Sequence, residues 1–352
     1  MSHLCAKQEI MKRIFTTLFS VATLTTLSAQ DAHYSMFTMA PLTINPALTG
    51  NFSGDLRIVN NYRMQWGSVS KPYTTFSFGG DMPLPKRDRR KSSPDFFAVG
   101  LNINVDKAGS TSLMNNQAYG LFSYNKSLDG TGETFFSIGF QAGIDQHTIN
   151  LGATSWDMQF NGLEYDPTAA TGETALPNDH YIFGDYAAGI AISSVANERF
   201  KMSGGLAASH LSRPQINFLG GTDKMFMKFS AHYTAQVALG QNSNAWLLPA
   251  LQYVRQGPAQ MINIGAGMRF QLQERSHYTK YQNDRSFTIG GMYRLNDAMS
   301  AYARIDIGPI GAAFNYDINT SRLTAVSKGR GAMEFMLIYT GMYSQRRGKP
   351  SF

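Results

Sequence analysis

The chain has 352 residues, of which 43% are apolar and 16% charged. Its 31 basic and 24 acidic residues give a formal net charge of +7, a mild excess that favours acidic surfaces and does not indicate nucleic acid. The single cysteine, Cys5, excludes an intramolecular disulfide framework and a cysteine metal site.

The first segment reads as an export signal. Lys12 and Arg13 form a basic start after Met11, Ile14–Leu27 is apolar, and Ala29 supplies a small residue for cleavage before Gln30. A membrane anchor is the alternative, but the apolar stretch is short, Thr-rich and without a basic stop beyond it. Residues 1–29 are therefore expected to be a signal peptide, with 1–10 a mis-called start or an extension. Their removal leaves 28 basic and 23 acidic residues, a net charge of +5 and no cysteine.

Residues 30–54 are expected to form an irregular N-terminal arm, because Pro41, Pro46 and Gly50 break regular structure. Fourteen short alternating segments follow: Asp55–Trp66, Pro72–Met82, Asp95–Val105, Leu113–Ser127, Glu133–His147, Tyr181–Val195, Arg199–Leu211 and Met225–Gly240, then Ala245–Arg255, Gln260–Leu272, Arg285–Leu295, Ala298–Ile307, Ile310–Asn319 and Ala332–Tyr343. One stretch displays the pattern. Met299, Ala301, Ala303, Ile305 and Ile307 alternate with Ser300, Tyr302, Arg304 and Asp306. After Gly308-Pro309, Phe314, Tyr316 and Ile318 alternate with Asn315 and Asp317. A period of two sends side chains to opposite faces of a strand. An apolar outer face and a polar inner face suit a transmembrane barrel.

The fold expected is all-β: a transmembrane antiparallel up-and-down β-barrel of about fourteen strands over residues 55–343, with a basic tail at 344–352. Most segments match the roughly 9–11 residues of a tilted spanning strand. Glycines inside the strands, such as Gly139, Gly189 and Gly205, would permit bending and close packing. Aromatics near strand ends (Tyr62, Trp66, Tyr73, Tyr119, Tyr181, Trp246, Tyr253, Tyr339 and Tyr343) read as interfacial girdles, with core packing in a soluble β protein as the alternative.

With a periplasmic N-terminus, Asp129–Gly132, Ala196–Glu198 and Asn242–Asn244 become short periplasmic turns. The long connections Thr148–His180, Ser212–Lys224 and Thr320–Gly331 then face the cell exterior. Pro83–Pro94 is a long exception on the periplasmic side and carries Lys86, Arg87, Arg89, Arg90 and Lys91. That loop is either a docking surface, a solvated turn, or a set of residues contacting anionic headgroups. The charged connection Gln273–Asp284 reads as a solvated turn.

No G-x-S-x-G elbow, H-E-x-x-H helix or phosphate-binding loop occurs, so no catalytic site, no enzyme activity and no cofactor is expected. The histidines are scattered, without a spaced metal pair. Glu164, Asp166, Glu173 and Asp179 lack calcium-loop spacing, and their segment reads as a solvated loop. Arg57 and Arg63 share one face of the first strand, and Arg304 and Asp306 share one late in the chain. They would set pore polarity or pair inside a filled barrel, and pairing is preferred because unpaired buried charge is costly.

The stretch Phe37–Gly50 (FTMAPLTINPALTG), with Asn61-Tyr62-Arg63-Met64-Gln65-Trp66, Pro72–Ser77, Asp81 and Pro83, resembles the PorP/SprF family. These are outer-membrane proteins of the type IX secretion system in Bacteroidota. Members read Asn-Pro-Ala followed by Gly, then Tyr-Arg-x-Gln-Trp, then a Pro-x-Thr strand. Here those positions are Asn45, Pro46, Ala47, Gly50, Tyr62, Arg63, Gln65 and Trp66. One departure is Met39-Ala40-Pro41, where an Asn before the Pro is common. Echoes at Gly204–Pro214, Tyr293-Arg294, Asp297-Ala298 and Asn315–Asp317 spread the resemblance over the chain.

The resemblance implies an outer-membrane barrel of the secretion and gliding machinery. It would help export or surface-anchor a secreted client protein, adhesin-like and bearing a type IX C-terminal signal, and would link to the periplasmic ring. Lipid and these proteins are the expected partners; nucleic acid is not. A diffusion channel or small-molecule transporter is the alternative. An outer-membrane lipase, a third possibility, finds no support in the spacing.

Overall fold

The computed structural model describes residues 31–68, 71–84, 94–109, 113–150, 157–166, 168–170, 180–197, 199–216, 223–240, 244–273, 284–321 and 324–341. The signal segment, the Lys86–Lys91 cluster and the tail 344–352 lie outside these residues.

Fourteen antiparallel strands close into one barrel in sequence order. They are β1 (Leu56–Gln65), β2 (Tyr73–Pro83), β3 (Phe96–Ala108), β4 (Leu113–Ser127), β5 (Thr134–Thr148), β6 (His180–Asn197) and β7 (Phe200–Ser209). The circuit continues with β8 (Lys228–Ala238), β9 (Ala245–Gln256), β10 (Ala259–Gln273), β11 (Arg285–Arg294), β12 (Ala298–Ile307), β13 (Ile310–Asn319) and β14 (Arg330–Gly341). β1 pairs with β14 from Leu56 opposite Gly341 to Gln65 opposite Ala332, and this seam closes the ring. Closure gives every strand two neighbours, which limits the free edges that a strand-built wall in lipid could not tolerate.

The two-residue period sorts the wall as expected. On β12, Met299, Ala301, Ala303, Ile305 and Ile307 point outward, and Ser300, Tyr302, Arg304 and Asp306 point inward. Large apolar residues such as Phe140, Ile144, Leu206 and Phe335 are exposed around the outside, forming the surface a bilayer would cover. Among the described residues no helix is long and apolar enough to cross a membrane.

The girdle reading is corrected at several positions: Tyr73, Tyr181 and Trp246 lie on the inward parity of their strands, and Tyr119 is the clearest case. Tyr119 is only 3% exposed and points into the lumen, where it packs with Leu42 and Leu121. It sits near the middle of β4, on the inward parity, so its aromatic ring belongs to the interior.

The beginning of β1 and the end of β14 meet at one end of the barrel, called here the terminal end; the β1–β2 connection marks the far end. At the terminal end the β4–β5 turn is organised by Asp129. Its carboxylate accepts from the Ser127 hydroxyl and from the backbone N–H groups of Thr131, Gly132, Glu133 and Thr134. Partial desolvation opposes ionisation, but hydrogen bonds from Ser127, Thr131 and Gly132 outweigh it and hold this carboxyl below its ordinary range.

The core is inside the barrel. Residues 34–52 run through the lumen, with short helical turns at Phe37–Met39, Pro41–Ile44 and Pro46–Leu48. Tyr34, Met36, Phe37, Met39, Leu42, Ile44, Ala47, Leu48 and Phe52 are all buried. They pack against inward-facing Met292, Met336, Ala250, Ala191 and Ala313. The lumen face is therefore not uniformly polar: where the arm lies, the wall supplies apolar side chains to meet it.

Candidate functional site: the lumenal arm and its anchors

Two clusters hold the arm. The first is a saddle at Asn45–Gly50. Asn45 caps the Pro46–Leu48 turn: its Oδ1 accepts from the Ala47 N–H at 2.9 Å. Proline at the following position has a fixed φ suited to starting such a turn. The other side of the same amide reaches the wall. Asn45 Nδ2 donates to the carbonyls of Ile190 at 3.0 Å on β6 and Leu206 at 3.2 Å on β7.

This approach requires wall residues without side chains. A Cβ added at Gly189 would lie 2.1 Å from Asn45 Oδ1, and one at Gly205 would lie 2.8 Å from Asn45 Nδ2. At Gly139 on β5 it would fall 2.3 Å from the Ala47 nitrogen. The Asn-Pro-Ala motif thus sits on a glycine patch spanning three strands. Wall hydroxyls complete the seat: Ser230 donates to the Ile44 carbonyl at 2.9 Å and Ser123 to the Thr49 carbonyl at 2.7 Å.

Gly50 turns the arm toward β1. Its φ of +73° is a left-handed conformation that favours glycine, and a Cβ there would strike Ala98. Its N–H donates to Asp81 Oδ2 at 2.7 Å. Asp81 also takes both forks of Arg57, at 2.9 and 2.8 Å, while Arg57 Nη2 donates to the Leu48 carbonyl at 3.1 Å. Arg57 is thus paired rather than lining an open pore.

The second cluster is an ionic hub around Ser35, nearer the far end. Arg63 on β1 pairs with Glu334 on β14 and reaches Asp317 on β13 at 3.2 Å. Arg294 on β11 reaches Asp317 at 3.3 Å and also pairs with Asp297. Ser35 sits among them: its hydroxyl donates to Asp317 Oδ2 at 2.6 Å and accepts from Arg63 at 2.9 Å and Arg294 at 2.8 Å. Glu334 also accepts the backbone N–H of Ser35 at 2.7 Å and of Met36 at 3.1 Å. Asn263 on β10 donates to the Ser35 carbonyl at 2.8 Å. Arg63, Asp317 and Glu334 are all within 2% of full burial. Charge at this depth is tolerable only when paired and saturated with hydrogen bonds, and the arm backbone supplies part of that saturation.

The other motif residues lie around these clusters. Gln65 Oε1 accepts from Arg63 at 3.2 and 3.1 Å. Tyr62 points outward and is 40% exposed. Trp66 adopts φ +60° just past β1 and meets Tyr73 edge-on at 4.9 Å. Lys86, Arg87, Arg89, Arg90 and Lys91 are outside the described residues, so the structure brings them to neither cluster.

The sequence reading missed Ser35, Glu334 and Arg294 as parts of one hub. Glu334 carried a signal, being the lone charge within the apolar run from Ala332 to Ile338. A third buried group links β4, β6 and the loop after β7. Asp185 lies 3.0 Å from His210 Nδ1 and accepts from the Tyr119 hydroxyl at 3.1 Å. Among the described residues no cluster of His, Cys, Asp or Glu is arranged to hold a metal. Chemically, the two clusters form a lock that fixes the arm inside the barrel.

The chain is similar to several solved barrels. With a deletion mutant of the TodX monoaromatic hydrocarbon channel it shares 8% identity and a TM-score of 0.45, over 86% of this chain and 94% of that one. With BamA from Haemophilus ducreyi lacking POTRA domains 1–3, identity is 10% and the TM-score 0.41, over 82% and 70% of the two chains. CdiB from Acinetobacter baumannii gives 10% identity and a TM-score of 0.37, over 81% of this chain; the match spans 60% of CdiB. No curated protein matches the sequence. The profile of the type IX secretion system membrane protein PorP/SprF matches residues 26–339, and the chain belongs to that family.

Proposed function

We propose that this barrel helps to export or surface-anchor a secreted client protein, adhesin-like and carrying a type IX C-terminal signal, and that it links to the periplasmic ring of the apparatus. Its membership of a type IX secretion family and its lipid-facing closed barrel make it an outer-membrane component. The finer role rests on one observation: the lumen is occupied by the chain's own residues 34–52, locked to opposite walls by the saddle and the hub. A barrel so filled suits an anchor or adaptor better than a diffusion channel.

The orientation proposed puts the terminal end in the periplasm, as in bacterial barrels with both chain ends on that side. The long β5–β6 connection, Thr148–His180, would then offer the client contact, and the Lys86–Lys91 loop the periplasmic one. Crosslinked pull-down from the native outer membrane tests the role. Secretion components and one secreted client should be recovered; recovery of neither, together with steady wild-type conductance in planar bilayers, would favour a channel. Reversing the charges at Lys86, Arg87, Arg89, Arg90 and Lys91 should reduce recovery of the periplasmic partners and spare the client. Unchanged recovery would remove that loop from the contact.

A further inference from the structure

A cavity of about 410 Å³ remains beside the arm. It lies toward the terminal end, since its lining reaches Gly308 and Pro309 between β12 and β13 and Thr340 near the end of β14. One wall is apolar, built by Phe37, Ile44 and Leu48 of the arm with Tyr302 of β12. The opposite chemistry comes from four cations, Arg57, Lys201, Arg269 and Arg304.

Two of these cations are already engaged. Arg57 grips Asp81, and Arg304 grips Asp306 through Nε and Nη2 at 2.6–3.0 Å. Asp306 further accepts from the Ser286 hydroxyl at 3.1 Å. The other two form no ion pair of their own, although the Asp306 and Asp284 carboxylates bear on Arg269 through space. Among the described residues neither Lys201 nor Arg269 has a carboxylate within ion-pair distance, and Arg269 donates only to Ser286 Oγ, at 3.1 Å. Asp284, also in the lining, is exposed.

His232 of β8, opposite Gly205 and four residues along β7 from Lys201, is a second unsatisfied point of the cavity. It lines the same cavity and is 93% buried, yet neither ring nitrogen has a hydrogen-bond partner. A buried polar group left without a partner is costly, and such groups commonly mark the place of a missing one. Two cations without an ion pair of their own, in a cavity of small-molecule size, point to one ligand chemistry.

We propose that this cavity binds an oxyanion, a carboxylate or a phosphate group, held by Lys201 and Arg269. The apolar wall would accept whatever short chain carries the anion. Free phosphate and the carboxylate end of a peptide present the same group, and the test separates them.

The full chain, purified in detergent at fixed ionic strength, would be titrated with inorganic phosphate, with a short peptide bearing a free C-terminal carboxylate, and with its C-terminal amide. The thermal unfolding midpoint should rise with phosphate or with the free-acid peptide, and not with the amide or with chloride. A response to phosphate alone identifies a free ion as the occupant; a response to the free-acid peptide identifies a chain end. The double variant Lys201→Gln, Arg269→Gln should bind about tenfold or more weakly, while Lys201→Arg keeps the response. An equal rise with chloride, or a double variant that responds like wild type, overturns the proposal. A readout without substitution guards against misfolding: acylation of Lys201 in the wild-type protein should slow in phosphate and not in chloride. Acylation at the same rate in both also overturns it.

Discussion

The two ends of the lumenal arm are held by opposite kinds of chemistry. Around Ser35 the grip is electrostatic, with two arginines and two buried carboxylates from four strands meeting on the arm backbone. At Asn45–Ala47 it is steric: one neutral amide fits against backbone exposed by Gly139, Gly189 and Gly205. The hub tolerates little change in charge, and the saddle little change in volume. A segment pinned by both must satisfy two independent conditions at once, which specifies one position in the lumen rather than a family of slides along it.

The sharpest way to break this contrast is at Glu334. Glu334→Ala removes a carboxylate from beside Arg63 and takes the acceptors from the Ser35 and Met36 N–H groups. Breaking a buried pair in this way costs about 3–5 kcal/mol, to be measured by denaturant unfolding in detergent. Glu334→Gln, which keeps the shape and loses the charge, should retain much of that cost; a neutral result would show that the hub works by shape after all. If the hub releases its end of the arm, the Ala variant should also conduct in planar bilayers where wild type does not.

The saddle is tested by volume. Gly189→Ala places a methyl group against Asn45, and overpacking of this kind costs about 1–3 kcal/mol. In a double-mutant cycle, Asn45→Ala should relieve much of the Gly189→Ala cost, because the clash is with that side chain. Additive costs would place the strain elsewhere in β6.

The smallest effect is expected outside both grips. Asp129 organises the β4–β5 turn, and its pKa is lower folded than unfolded. Its contribution is therefore present above about pH 4, the ordinary carboxylate value. It fades as the pH falls toward the folded pKa. The difference in unfolding midpoint between wild type and Asp129→Ala should shrink from pH 7 to pH 3. Protease resistance of the arm should not change. Loss of that resistance would mean that the turn and the plug are coupled.

The strands were legible because side-chain parity is a local signal. The expected limits of the fourth, twelfth and thirteenth strands coincide with β4, β12 and β13, where turn residues and alternation agree. Arg57 and Arg63 were also legible as a shared inward pair, because strand parity alone places them. The partners of Arg63 were not. Asp317 and Glu334 lie more than 250 residues away and meet it only when the ring closes. Tyr119 misled because the alternation rule assumes a wet lumen, whereas here the lumen contains Leu42. The glycines were visible, but a sequence cannot distinguish a glycine that bends a strand from one that makes room for Asn45.

The seam between β1 and β14 carries a consequence for the order of events in assembly. The arm runs from the Ser35 hub down to Gly50, and β1 starts a few residues later and climbs back along the wall. A completed ring of hydrogen bonds offers no slot through which the helical turns and ion-paired backbone of residues 34–52 could be inserted sideways. The arm therefore reaches its place either before the first strand zips to the last or along the barrel axis from the terminal end, and never through the wall.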